Sequence, residues 1–463
     1  MAYFDTPSTE DPFTILNPKD DSEIGTIVPF DKEKIASMVA MSKIAQSLWA
    51  EVPPEQRGKI LSHAADVLAD HSEELASLNS KETGRAYEEA LGGIRAGVST
   101  FKQYSELGPL HRGKSLQGSL NCSDYSIFEP RGVVACLTPW NDPIAIAAGL
   151  LGAALVTGNS VIHKPSERCS HLGIRLGEIL APCFPENVLI TLPGTGITGQ
   201  RLITQDDIDV VAHVGSSATG SIIAAQVGNT NKAHLIRENG GNDALIIDKD
   251  VNPTWAATQA SLGAFANSGQ ICTSVERIFV HRDIADQFCQ ALITNANDIN
   301  NNSPLAPLVD KKLRNLVHKQ VSEAIELGAK AEVGGFIPQG KGSYYPATVL
   351  LNCTPEMTIM KQETFGPVAP IQVVDSFDEA LKLATDDTYG LAATILTSNI
   401  ENSQRAISKL RVGTVKINNV FGGAPGGSAQ PQGQSGAGFG YGPELLDEMT
   451  TTKVVHIEPP QTL

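Results

Sequence analysis

Cys272 stands in the run Phe265-Ala266-Asn267-Ser268-Gly269-Gln270-Ile271-Cys272-Thr273-Ser274, a charge-free segment punctuated by Gly, Asn and Ser. A cysteine presented from a tight turn there can meet main-chain N–H groups, which lower its pKa and can hold a developing oxyanion. An isolated cysteine is more often a small buried hydrophobe. Glu238 changes that balance. It lies upstream between Arg237 and Asn239-Gly240-Gly241-Asn242. A glutamate beside two glycines can come close to substrate and backbone, and a nucleophilic cysteine needs a base near it.

Three further motifs carry groups suited to ligand contact. Gly215-Ser216-Ser217-Ala218-Thr219-Gly220 follows a short apolar run and opens a helix. Glycine and small hydroxyls at a helix N-terminus bring N–H groups and a favourable dipole to a phosphate, although an ordinary capped helix start accounts for the motif equally well. His163-Lys164-Pro165-Ser166-Glu167 ends another apolar run. Lysine and glutamate at the carboxyl end of a strand sit where open α/β sheets bind ligands, and a solvated strand-to-helix turn is the plainer alternative. A carboxylate there accepts hydrogen bonds from ribose hydroxyls and repels an additional phosphate, which favours NAD and leaves NADP open. Thr138-Pro139-Trp140-Asn141-Asp142-Pro143 forms a rigid corner whose Asn amide can serve an oxyanion, or can be a turn and nothing more.

The elements that must position these groups are legible in outline. The spacing of apolar residues predicts helices over 31–49 and 53–83, the second closed by Gly84. From Gly132 onward, short apolar strands alternate with helices: strands at 133–137, 161–163, 188–190 and 210–214, helices at 143–156 and 170–180, and one opening at Ala218. A second set follows, with strands at 244–247 and 277–280, a helix after Asp283 and another over 310–327. This alternation predicts an α/β fold of two doubly wound parallel-sheet domains. Residues 417–443 carry no charge and are dense in glycine. Their aromatics, Phe421, Phe439 and Tyr441, favour loops packed over a site above a flexible linker.

Bulk properties narrow the function classes. The chain has 463 residues, 41% of them hydrophobic and 19% charged, which suits two or three packed domains. A net charge of −16 argues against a nucleic-acid partner. The seven cysteines are scattered with no metal-ligand spacing, so neither a disulfide framework nor a metal site is expected, and a reducing cytoplasm fits best. The N-terminal residues lack a signal-peptide pattern, and the longest apolar run, 13 residues over 144–156, is too short to span a membrane.

Trp140-Asn141, Lys164-Pro165-Ser166-Glu167, Gly215-Ser216, Glu238-Asn239-Gly240-Gly241, Asn267 to Cys272, and Glu363-Thr364-Phe365-Gly366-Pro367-Val368 occur in that order. Their order and spacing resemble the aldehyde dehydrogenase superfamily over essentially the whole chain, with supporting matches at Tyr389-Gly390-Leu391, Ile417-Asn418 and 435–438. The resemblance implies that Cys272 is a thiolate nucleophile, that the Asn141 amide and the Cys272 N–H hold the oxyanion, and that Glu238 activates the water that hydrolyses a thioester. It implies contacts to NAD at Trp140, Lys164, Ser166, Glu167, Gly215, Ser216, Gly240, Glu363 and Phe365, with no metal. It also implies an NAD-binding domain (residues 1–113 and 128–240), a catalytic domain (241–440), and strands at 114–127 and 441–463 that bridge subunits of a homodimer or homotetramer.

Some positions depart from the family pattern. Asp142 stands where an aromatic is usual, Leu150 where many members carry a lysine serving the base, Asn242 and Gln434 where lysines are common, and His213-Val214 before Gly215 where Phe-Thr is usual. Leu150 puts the hydrolytic step in question. For the substrate pocket the expected residues are Gly149, Ile271, Thr273 and Phe421. Gly149 cannot grip a carboxylate as an arginine would, which favours a small aliphatic or aromatic aldehyde over a semialdehyde unless Arg112, Arg131 or Lys416 supplies the cation. A CoA-acylating enzyme or an inactive scaffold are the remaining alternatives, the first disfavoured by Glu238 and the second by the intact Cys272, Glu238 and Asn141.

Overall fold

The computed structural model describes residues 10–230, 233–423 and 427–460. Two parallel sheets and a small antiparallel flap organise them. The first sheet runs in the order Gly436–Ala437, His234–Glu238, Val210–Val214, Val133–Leu137, Ser160–Lys164, Leu189–Thr191. All its pairs are parallel except the first, where Gly436 lies opposite Glu238. The second runs Lys330–Val333, Thr348–Leu351, Val368–Val374, Arg277–His281, Ala244–Ile247, Ala392–Leu396, Thr414–Ile417, parallel except at its first edge. Central strands such as Val133–Leu137 and Ala244–Ile247 are buried at every residue. That is what their unbroken apolar runs require of strands covered on both faces.

Strand and helix limits follow the apolar texture closely where burial is two-sided. Val133–Leu137, Pro143–Val156, Ser170–Leu180, Val210–Val214 and Ala244–Ile247 fall where the sequence predicts them. Gly84 ends its helix with φ of 80°, a left-handed cap that only glycine adopts without strain. The single helix predicted over 53–83 is in fact two, Pro54–Asp70 and Ser72–Thr83. At the break the His71 ring meets the Val67 carbonyl and the Ser72 hydroxyl donates to the Ala69 carbonyl, so side chains take over acceptors that a continuing helix would use.

Much of the chain after residue 327 and several earlier elements are absent from the sequence expectation, and two of the earlier ones are instructive. The hairpin of Phe13–Leu16 and Glu23–Ile27 is short and mostly exposed. The long helix Tyr87–Leu110 is diluted by glycines and contains Pro109. Its glycines serve packing: a methyl at Gly97 would lie 3.3 Å from the Ala148 side chain, so this helix runs close against Pro143–Val156. The flap pairs Thr450–Ile457 with Ser123–Pro130 and the latter with Ser115–Leu116, all antiparallel. Among the described residues no helix is long and apolar enough to cross a membrane.

Candidate active site

The first sheet meets the second edge to edge. The strand His234–Glu238 ends at Glu238, and residues 239–243 carry the chain to the first residue of Ala244–Ile247. The carboxyl edge of the first sheet therefore faces the amino edge of the second. Trp140 and Asn141 follow Val133–Leu137, Ser166 and Glu167 follow Ser160–Lys164, and Gly215 and Ser216 follow Val210–Val214, all on that edge. Cys272 enters from the other side, just before Arg277–His281.

The turn ahead of Cys272 is tighter than its sequence implies. Asn267, Ser268 and Gly269 are consecutive left-handed residues, with φ of 47°, 57° and 74°. Such conformations cost energy for non-glycine residues and persist only where contacts enforce them. Here the Asn267 amide donates to the carbonyls of Gln270 (3.1 Å) and Asn141 (3.4 Å), and the Ser268 hydroxyl to Ala306 (2.6 Å). A methyl on Gly269 would fall 2.2 Å from the Gly366 carbonyl oxygen, so two loops touch at a residue that must be glycine. The Asn141 side chain donates one N–H to the Gln270 carbonyl at 3.2 Å, which fixes its amide beside the segment that carries the cysteine. Ile271 and Thr273 flank Cys272 and, like it, are half-buried.

The electrostatics of Cys272 run against the sequence expectation. Its thiol is pushed up to about 12, by burial first and then by Glu238, Asp243 and Glu363, while Lys416 pulls it down. Main-chain N–H groups do not outweigh that. Burial likewise raises Glu238 to about 7, against a hydrogen bond from the Gly440 N–H. Gly440 has to be small, because a methyl there would lie 2.3 Å from the Glu238 carboxyl carbon. Glu363 rises well above the usual carboxylate range through burial and the nearby Glu276, despite accepting the Gly241 N–H at 3.1 Å. Its carboxylate lies over Gly240, where a methyl would come within 2.0 Å of it.

The first sheet's edge holds its charges in pairs. Lys164, almost fully buried, lies 3.5 Å from Glu167. Burial pushes Glu167 up, but Lys164 prevails and its pKa is lowered. The Ser166 hydroxyl accepts the Arg168 N–H, and Arg168 lies over the Trp140 ring and bridges to Asp310. Trp140 meets Phe365 edge to face at 5.5 Å. Gly215 donates to the Glu238 carbonyl, and Ser216 is exposed at the start of Ser217–Thr230 with its hydroxyl accepting from Thr219. The neighbouring Ser217 hydroxyl is buried with no partner, a free polar group at a helix N-terminus suited to a phosphate. These features fit a dinucleotide.

The sequence model of the aldehyde dehydrogenase family matches residues 4–455. The chain belongs to that family. It is 32% identical over 458 residues to the mitochondrial aldehyde dehydrogenase of Leishmania tarentolae, covering 96% of this chain and 91% of the relative. It is also 32% identical over 462 residues to the betaine aldehyde dehydrogenase of Bacillus subtilis (strain 168), with 96% and 93% covered. A crystal structure of a betaine aldehyde dehydrogenase point mutant from Staphylococcus aureus, in complex with NAD+, superposes with a TM-score of 0.93 at 29% identity, covering 98% of this chain and 95% of that one. A 3,6-anhydro-L-galactose dehydrogenase in complex with NAP also gives 0.93, at 30% identity and 97% and 96% coverage.

Several departures of this aldehyde dehydrogenase from its family pattern find local explanations. Asp142 is bridged to Arg85 at 2.7 Å, and the same guanidinium donates to the Asn141 carbonyl at 3.1 Å. The Asn242 amide donates to Asp387, which is itself paired with the buried Arg277. Leu150 is wholly buried in the core of the first sheet. Burial takes His213 down to about 4, so its ring is neutral. A methyl at Gly149 would have the Tyr441 ring 3.5 Å away, an ordinary contact, so the space there is bounded by that ring. Phe421 is 40% exposed, with the Lys416 ammonium 5.6 Å from its ring centre.

Other residues enter the site without having been singled out. Glu276 accepts the N–H groups of Thr364 (2.9 Å) and Phe365 (3.1 Å), and so holds the loop in which Phe365 takes a φ of 55°. Arg85 holds the Asn141 corner. The adjacent Glu276-Arg277 and the Gly84-Arg85 step were the visible signals, but neither reveals its partner. A cavity of about 480 Å³ lies behind the site, lined by Arg277, Phe279, Asp387 and Tyr389 among others, and touches none of Cys272, Glu238 or Asn141.

Proposed function

We propose that this aldehyde dehydrogenase oxidises an aldehyde to the carboxylic acid with NAD, through a thioester on Cys272 that water hydrolyses. The observation that carries the reading is that Glu238 acts on the Cys272 thiol, with the Asn141 amide fastened to the Gln270 carbonyl of the same segment. A thiol at about 12 reacts only after losing its proton, and Glu238 at about 7 is an acceptor next to it. The thiolate adds to the aldehyde carbonyl, and the Asn141 amide and the Cys272 N–H stabilise the oxyanion. The chemistry that NAD supplies when bound is to accept a hydride equivalent. With that equivalent gone from the substrate carbon, the bond from Cys272 becomes a thioester. Glu238, once it has passed the thiol's proton to solvent, takes a proton from water, the water oxygen attacks the thioester, and the carboxylic acid leaves as the sulfur takes back a proton.

Lys164 and Glu167 would hold the adenine ribose, Ser216 a phosphate oxygen, and Glu363 the nicotinamide ribose, with Trp140, Ser166, Gly215, Gly240 and Phe365 lining the site. Glu167 favours NAD over NADP. Residues 1–113 and 128–240 form the cofactor-binding unit in this reading, and 241–440 the unit carrying the nucleophile. The exposed Leu116, Leu120, Tyr125, Val454 and Ile457 of the flap support a homodimer or homotetramer joined there. Seven free cysteines suit a reducing compartment such as the cytoplasm.

NADH formation over a panel of aldehydes, with and without CoA, tests the proposal. Cys272→Ala should lower turnover by roughly 10⁴-fold or more, as loss of a covalent nucleophile does. Substantial residual NAD reduction would dismiss the mechanism.

A further inference from the structure

Lys416 occupies an unusual place for a cation. In the second sheet it lies beside Thr394, which lies beside Leu245, which lies beside Ile278. Neighbours in parallel register point to the same face, and Leu245 and Ile278 belong to the core covered by Pro253–Phe265. That helix ends in the turn leading to Cys272. Lys416 is therefore the charged residue of an otherwise uncharged row, on the nucleophile's side of the sheet. Its ammonium donates to the Val420 carbonyl at 2.8 Å and stands 5.6 Å from the centre of the Phe421 ring. Val420 is buried against Gly263, which seats this segment on the same helix.

The occupied ring face matters because aromatic faces are what quaternary ammonium ligands bind. Phe421 offers its face to the protein's own cation. The charged groups that act on the Cys272 thiol are Glu238, Asp243, Glu363 and Lys416. Burial raises all three carboxyls, which weakens their negative charge; it also lowers Lys416, an effect that Asp243 and Cys272 oppose, and Asp243 keeps one oxygen buried without a partner.

We propose that Lys416 sets the charge preference of the aldehyde site, disfavouring aldehydes that carry a quaternary ammonium and favouring those that carry a carboxylate. This rests on Cys272 being the nucleophile. It separates the chain from the betaine aldehyde dehydrogenases it is similar to.

Three aldehydes of similar size test it: betaine aldehyde, its uncharged isostere tert-butylacetaldehyde, and succinate semialdehyde, each read as kcat and KM from NADH formation. The expected order in kcat/KM is succinate semialdehyde, then tert-butylacetaldehyde, then betaine aldehyde. The isostere should exceed betaine aldehyde by about tenfold or more, mostly through KM, as opposed and like charges in a partly buried site require. Lys416→Met should compress the spread between the three, and Lys416→Arg should keep it. Because the ratios compare substrates on one enzyme, any general effect on the thiol cancels. Equal or better use of betaine aldehyde by the unaltered protein overturns the proposal, as does an unchanged spread in Lys416→Met. Failure to oxidise any of a broad aldehyde panel is a different result, and it removes the proposed function along with this inference.

Discussion

On the first sheet's edge, buried charges have partners: Lys164 faces Glu167, Arg168 faces Asp310, and Glu82 accepts from His171 and from the N–H of Leu172. Nearer Cys272, Glu238, which ends its own strand of the first sheet, joins Asp243, Glu276 and Glu363: these have backbone donors but no cation able to offset their desolvation, and all four are pushed upward. Paired charges suit a surface that positions a ligand. Of these acids Glu238 is raised to about 7, where a proton can be gained or lost near neutrality, which is what an acid–base step needs. The cleft thus joins a static side to a titrating side.

The largest expected effect tests the titrating side. Glu238→Gln keeps the shape and removes the acceptor for both the thiol and the water proton, so steady turnover should fall by about 10²- to 10³-fold and the first equivalent of NADH per site should also form more slowly. In the unaltered protein the basic form of Glu238 is the carboxylate, so the hydrolytic rate should rise as pH increases through about 7, and the variant should lose that limb. A next, smaller effect comes from Gly440→Ala. The new methyl displaces the Glu238 carboxyl without entering backbone, so kcat should drop by about 10- to 100-fold, with a change in Tm within about 3 °C. If stability collapses instead, Gly440 is a folding residue and its bearing on the base is lost. The smallest effect belongs to the static side. Lys164→Ala should raise KM for NAD by about tenfold and leave kcat within about twofold, with the weaker affinity confirmed by fluorescence titration of NAD. A pH-dependent kcat defect in that variant would erase the distinction between the two sides.

The uneven legibility of the chain has a physical basis. Strands such as Val210–Val214 are defined by their own apolar runs, so they can be read locally. The helix Tyr87–Leu110 cannot, because Gly97 and Gly108 weaken it in isolation and become favourable only against Ala148 and Val156. In the site, Cys272, Glu238 and Asn141 were visible through motif order. Arg85 and Glu276 were visible only as ordinary charges, since their partners lie far along the chain, at Asn141 and at Thr364 and Phe365, while Lys416 was one of three candidate cations that the sequence could not rank. The lowered thiol pKa expected from the glycine-rich turn failed for the same reason. Three carboxyls that raise it come from distant segments.

The contact of Gly269 with Gly366, together with the grip of Glu276 on Thr364 and Phe365, has a consequence for local opening. The turn that presents Cys272 cannot swing outward without releasing the loop that carries Glu363, so the two segments form one cooperative unit. Breathing motions that would expose the nucleophile to stray oxidants are then coupled to loss of the Glu363 loop, and the reactive thiol is protected by the stability of a partner loop nearly a hundred residues away (residues 272 and 363).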